Sequence, residues 1–294
     1  MPRMQAQLSP QGQGGGENFE VSMDYLLSQG LRIPRLGLGT FRMQGDVCRA
    51  AVESALSIGY RHIDTAEMYG NEEAIGAAIA SSGVPRCELH VTTKVWNENL
   101  APDAIRRAFD ASLKKLRLDV VDLYLVHWPK PGMHLPSMFE TLMKLKEEGR
   151  TRGIGVANFN VALLKTVVED IKAPIACNQI EYHVMLDQTK VKAYLDAKKI
   201  PLVAYCPLAQ GRVAADTALI AIGKKHNVSA AQVALKWLLE QKGVAAIPKA
   251  AHGESQKANV EAFNVTLDDD DGKRIADLPK DRRCVSPGFA PAWD

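Results

Sequence analysis

From Arg35 onward, short runs of apolar and β-branched residues alternate with longer segments whose apolar positions recur every three or four residues. These are the periodicities of buried strands and amphipathic helices. The strand-like runs are RLGLGTF (from Arg35), HIDT (from His62), LHVTTKV (from Leu89), VVDLYLVH (from Val120), TRGIGVAN (from Thr151), PIACNQIE (from Pro174), PLVAYCP (from Pro201) and VAAIPK (from Val244). Helical patterns follow each in turn, starting at Asp46, Asn71, Pro102, Met138, Val161, Thr189, Thr217 (continuing from Ala230) and Glu254. In the first, Asp46 is a candidate cap, Val47, Ala51, Ala55 and Leu56 share a face, and Gly59 is a C-terminal stop.

Strands alternating with helices call for a parallel sheet. Eight such pairs are what a closed (β/α)8 TIM barrel requires. The competing doubly wound sheet calls for a G-x-G-x-x-G turn after its first strand, and here Gly37 and Gly39 are followed by Thr40, Phe41 and Arg42 with no third glycine. Before the alternation, VSMDYLL (from Val21) and the turn Ser28, Gln29, Gly30 predict a short hairpin capping the barrel. No Pro/Gly-rich linker interrupts the pattern, so residues 21–294 read as one domain. Residues 1–20, rich in Gln and Gly, read as a disordered tail.

The chain is 46% hydrophobic and 24% charged, enough for a large core. Its 36 basic and 34 acidic residues leave +2, which argues against general affinity for nucleic acid or membranes. Five scattered cysteines without a C-x-x-C pair suit free thiols in a reducing cytoplasm. There is neither a signal-peptide pattern nor an apolar run of the roughly 20 residues needed to span a bilayer.

Asp64, Tyr69, Lys94 and His127 stand at or just beyond strand ends, which in a parallel barrel face one pocket. As a set they suit carbonyl reduction. The phenol gives a proton, the ammonium lowers its pKa, the carboxylate holds the ammonium and the imidazole orients the carbonyl oxygen. Hydride must come from a cofactor, since no side chain supplies one. Taken singly, Asp64 reads as a helix cap, Tyr69 as packing, Lys94 as a surface charge and His127 as a structural histidine. His62, Asp64 and Glu67 are metal-ligand types at close spacing, but no further His or Cys cluster completes a shell, so no metal is expected.

GYRHIDTAEMYGNEEAIG (from Gly59), VTTKVW around Lys94 and LYLVHWP around His127, with GLGTF, GIGVANF, NQIEYH, AYCPLA and IPK, resemble the aldo-keto reductase family. SGVPRCEL (from Ser82) and VSPGFAPAWD (from Val285) resemble its bacterial 2,5-diketo-D-gluconate reductase B group, also described as methylglyoxal reductases. The resemblance makes Asp64, Tyr69, Lys94 and His127 the catalytic tetrad. It implies NADPH, with NADH as a second option, held by Gly39, Thr40, Asp64, Asn158, Gln179, Tyr205, Pro207, Leu208, Gln210, Lys249, Ala250, Ser255 and Asn259. Lys249 matches the lysine that neutralises the adenosine 2′-phosphate. Three positions depart from the family: Ala157 replaces a common Ser, and Ala250 and Ser255 stand where many relatives have Ser or Thr and Arg. Phe41, Trp96, His127 and Trp128 are the expected substrate contacts. The resulting expectation is a monomeric, cytoplasmic reductase of small aldehydes, dicarbonyls or keto sugars. The alternatives are a non-catalytic nicotinamide-binding regulatory subunit, as in potassium-channel β subunits, and, more distantly, a metal-dependent barrel hydrolase.

Overall fold

A computed structural model describes residues 24–294. The expected tail (1–20) and the first residues of the predicted hairpin strand lie outside the described residues. The hairpin pairs β1 (Tyr25–Ser28) antiparallel with β2 (Leu31–Pro34) through Gln29 and Gly30, both at positive φ.

Eight parallel strands follow, hydrogen-bonded in chain order: β3 (Leu38–Gly39), β4 (His62–Asp64), β5 (His90–Val95), β6 (Val121–Val126), β7 (Thr151–Ala157), β8 (Ile175–Glu181), β9 (Leu202–Tyr205) and β10 (Val244–Ala246). Parallel bridges Leu36–Ala246 and Gly39–Lys249, with Gly37 N donating to Ala246 O (2.9 Å) and Gly39 N to Pro248 O (3.1 Å), join the last strand to the first. The barrel is closed, so its eight-stranded sheet has no free edge among the described residues.

The seam explains why β3 is far shorter than the run from Arg35 suggested. The chain passes so near its neighbours that a Cβ at Gly37 would meet the His62 ring at 2.7 Å and one at Gly39 would meet Ile247 O at 2.6 Å. Only glycine allows that approach.

The outer helices are α1 (Gly45–Ile58), α2 (Glu72–Ser81), α3 (Pro102–Leu116), α4 (Leu135–Glu147), α5 (Val161–Lys165), α6 (Thr189–Lys198), α7 (Thr217–His226), α8 (Ala230–Glu240), α9 (Gly253–Glu261) and α10 (Asp269–Ala276). Two expectations for α1 need correction. Gln44, not Asp46, occupies the N-cap, and Asp46 sits in the first turn, where its charge faces the positive end of the helix. Val47 is 61% exposed, and Cys48 and Val52 join Ala51, Ala55 and Leu56 on the buried face. Gly59 does end the helix, in the left-handed conformation. The segment from Val161 widens after Lys165 into a looser helical turn over Thr166–Asp170.

Most of the core lies between sheet and helices, where residues such as Ile63, Val91, Tyr124 and Phe139 are fully buried. A second cluster fills the barrel: Leu123, Leu125, Ala176, Cys177, Val203, Ala245 and Ile247, covered by Leu31 and Ile33 of the hairpin. The hairpin therefore plugs the amino-terminal end of the barrel, and only the carboxyl-terminal end is left for a site.

Candidate active site

Each strand end contributes one part. Asp64 ends β4, and alternation along β5 sends Lys94 inward, fully buried. Lys94 Nζ lies 2.5 Å from Asp64 Oδ1 and donates to Thr65 O at 2.7 Å, while Gln179 Nε2 donates to Asp64 Oδ2 at 2.7 Å. Asp64 therefore caps no helix. Tyr69 comes from the short turn Glu67–Tyr69 after β4, closed by Gly70 at φ 67°. Glu67 ties this turn to the next strand end by accepting from Trp96 N and Asn99 Nδ2. Asn71 ties it to the β3 loop by donating to Thr40 O (2.9 Å) and Met43 O (3.0 Å).

His127 follows β6, its ring centroid 5.5 Å from that of Tyr69 and 5.2 Å from that of Trp96. Its Nδ1 is enclosed without a partner among the described residues, so Nε2 is the nitrogen left for the cavity. Asp64, Tyr69 and His127 thus border one cavity, and Lys94 lies fully buried behind Asp64. Burial, with Lys94 adding to it, pushes the His127 pKa well down and keeps the ring neutral.

Burial acts against the expected lowering of the phenol pKa by Lys94. Burial, reinforced by Asp64 and Cys206, pushes the Tyr69 pKa well above its ordinary value. Lys94 Nζ stands 5.1 Å from the ring centroid and gives two of its three N–H donors to Asp64 and Thr65.

The cavity has a volume of about 880 Å³ and is bordered by Gly39, Thr40, Phe41, Asp64, Tyr69, Trp96, His127, Trp128, Asn158, Gln179, Tyr205, Pro207, Leu208, Gln210 and Lys249. Asn158, left-handed at φ 63°, gives Nδ2 to His127 O (2.9 Å) and accepts from Tyr205 OH (2.7 Å). Gln179 Oε1 has no protein partner among the described residues. A free amide acceptor, the spare N–H of Asn158 and the Tyr205 ring on one wall form a donor set that suits a nicotinamide carboxamide. Beyond Tyr205 the loop is bent by positive φ at Cys206, Ala209, Gln210 and Gly211, which turns backbone groups toward the cavity.

Ala250, Ser255 and Asn259 do not border the cavity. Ala250 is buried and its carbonyl accepts from Gln256 Nε2, Ser255 is exposed on α9, and Asn259 is buried there. The ligand types His62, Asp64 and Glu67 also part: His62 contacts Thr92 and Pro34, and Glu67 serves Trp96 and Asn99.

The aldo/keto reductase family model matches residues 35–280. The chain belongs to the aldo/keto reductase family. Methylglyoxal reductase DkgB of Escherichia coli O157:H7 is 44% identical over 268 residues, 90% of this chain and 100% of the relative. Glyoxal reductase of Bacillus subtilis (strain 168) is 40% identical over 258 residues, 87% of this chain and 93% of the relative. A crystal structure assigned as 2,5-diketo-D-gluconic acid reductase B superposes with a TM-score of 0.90 at 41% identity, covering 94% of this chain and 99% of that one. This aldo/keto reductase is an oxidoreductase enzyme with the (β/α)8 barrel of its family.

Part of its cavity lay outside the expected contacts. Cys284, Val285, Ser286, Pro287 and Phe289 line it from a C-terminal strap, and Arg42, Met68 and Cys206 add to the rim. Phe289 packs against Trp96 and Trp128, at centroid distances of 5.9 and 5.6 Å.

Under the strap, Glu181, His183 and Cys284 lie close enough to hold a metal ion, but their protonation does not suit one. Met185 N donates to His183 Nδ1, so the ring proton is on Nε2, where it serves Glu181. A neutral ring in that state has no lone pair to offer at Nε2. Among the described residues, no helix is long and apolar enough to cross a membrane.

Proposed function

We propose that this enzyme uses NADPH to reduce small aldehydes, dicarbonyls or keto sugars, of the methylglyoxal or 2,5-diketo-D-gluconate type, with Tyr69 as general acid. The observation that carries the reading is the buried Lys94–Asp64 pair beside Tyr69 and His127 at the floor of one cavity. His127 Nε2 donates to the substrate oxygen, and the neutral phenol of Tyr69 protonates it as charge develops. Asp64 and Thr65 O hold Lys94 in place behind the ring. Phe41, Trp96 and Trp128 exclude water around the carbonyl.

Reduced nicotinamide supplies the hydride when bound. Asn158 and Gln179 would hold its carboxamide, Tyr205 would stack on the ring, Thr40 and the 207–211 loop would flank the rest, and exposed Lys249 would meet the 2′-phosphate. The protein acts as a monomeric barrel, residues 21–294, in the cytoplasm.

The test is NADPH consumption with methylglyoxal and with 4-nitrobenzaldehyde. Tyr69→Phe should lower kcat about a thousandfold while NADPH binding, read by fluorescence titration, stays within about twofold. Near-normal turnover in that variant refutes the assignment of the acid.

A further inference from the structure

Beyond α10 the chain returns across the barrel mouth as a strap held at three places. Its start pairs with the loop after β8 through the Leu186–Asp281 bridge and the bond from Arg282 N to Met185 O (3.0 Å). Its end is held by Asn160 Nδ2 donating to Ala292 O and by Val161 N donating to Asp294 Oδ2, both at 2.9 Å. Between them is Glu181, the last residue of β8 and fully buried.

The Glu181 carboxylate accepts from Cys284 N and, at 2.8 Å, from Val285 N, and also from His183 Nε2 at 3.0 Å. The His183 proton is fixed on that nitrogen, so three N–H donors converge on one carboxylate. No lysine or arginine forms an ion pair with Glu181 among the described residues. Burial disfavours its charge, but the bonds from His183, Cys284 and Val285 outweigh burial and hold the carboxyl below its usual range. Two residues earlier on the same strand face, Gln179 holds Asp64. One strand therefore registers the catalytic floor against the strap.

We propose that Glu181 is a positioning residue that fixes the C-terminal strap, and through it Phe289, as a wall of the carbonyl site, setting KM for carbonyls large enough to reach that wall. This rests on reading the cavity as the carbonyl site. Trp96 packs against both the His127 ring, at 5.2 Å, and Phe289, at 5.9 Å, so of two carbonyls held at His127 a benzaldehyde ring would reach further along Trp96 toward that wall than a three-carbon dicarbonyl. Glutamine fills the same volume, but its NH2 group would face one of the three N–H donors and leave it unpaired.

The experiment uses the full chain with saturating NADPH, and compares 4-nitrobenzaldehyde with methylglyoxal in wild type, Glu181→Gln, Phe289→Ala and the double variant. Glu181→Gln should raise KM for 4-nitrobenzaldehyde about tenfold more than KM for methylglyoxal, the fold-change of one lost charge-assisted hydrogen bond. The effect should fall on KM and not on kcat. Phe289→Ala should reproduce the split, and the double variant should be no worse than the stronger single, because both act through one wall.

Equal KM changes for the two carbonyls, a loss confined to kcat, or effects that multiply in the double variant overturn the proposal. If Glu181→Gln does not fold, the Phe289→Ala comparison decides alone, since an unchanged KM ratio there removes the wall. A wild-type enzyme inactive on both carbonyls refutes the parent reading and is detected before any variant is made.

Discussion

Replacing Lys94 with methionine tests whether the Lys94–Asp64 pair is held together by mutual need. The charges are 2.5 Å apart, with side-chain exposures of 0% and 2%. At an effective dielectric of about 20 their attraction is about 7 kcal/mol, but burying both ions offsets most of that. The intact pair therefore adds little net stability, whereas a broken pair is expensive.

In Lys94→Met the Asp64 carboxylate keeps only the bond from Gln179, a loss of about 4 kcal/mol for a buried charge stripped of its partner. Unfolding entropy of about 2.1 cal/mol/K per residue over 294 residues converts this to a Tm about 6 °C lower. Adding Asp64→Asn removes the stranded charge and keeps an acceptor for Gln179, leaving only neutral groups, Thr65 O and the new amide N–H donors, without their former partners. The double variant should then lie about 1–2 kcal/mol below wild type, above the single.

Thermal and urea unfolding at pH 7 give both values. A double variant less stable than the single, or a single costing under about 1 kcal/mol, refutes the reasoning.

Three further outcomes are expected. His62 and His90, buried edge to face at 4.7 Å under the hairpin, both have pKa values lowered, first by burial. A fold that needs them neutral is fully stable above the unfolded value of about 6.5 and loses stability as pH falls below it. His90→Leu should lower the acid midpoint read by circular dichroism, and an unmoved midpoint counts against the pair. Gly39→Ala places a Cβ 2.6 Å from Ile247 O at the barrel seam and should cost about 2 kcal/mol or more in urea unfolding, so wild-type stability would show the seam to be slack. Lys249→Ala should raise KM for NADPH about tenfold or more while leaving NADH nearly unaffected, and equal changes for both cofactors would remove the 2′-phosphate assignment.

The tetrad candidates were legible because parallel strands and period-two alternation fix where a strand-end side chain points. Asp64, Lys94 and His127 needed no tertiary information beyond the barrel itself. Phe289 and Glu181 did. The strap has no periodicity, and it reaches the cavity through hydrogen bonds spanning about a hundred residues, such as Val285 N to Glu181. Glu181 could have been suspected, since a carboxylate ending a wholly buried strand requires partners, but the strand pattern does not name them. Asp46 and Val47 were misread for a local reason. The buried face runs Cys48, Ala51, Val52, Ala55 and Leu56, so Val47 stands one position off it, and α1 starts at Gly45 behind Gln44, which leaves Asp46 inside the first turn.

The raised phenol pKa reshapes the chemistry of the tetrad. With Asp64 at 2.5 Å the Lys94 ammonium is paired, burial dominates, and the phenol keeps its proton. Its acidity then matters only relative to the carbonyl oxygen, whose basicity rises steeply as hydride arrives. His127 is neutral for the same reason, burial, so it donates a hydrogen bond without competing for that proton. In the proposed mechanism desolvation favours the neutral form of both groups, and the stabilisation they would give grows only as negative charge appears on the oxygen.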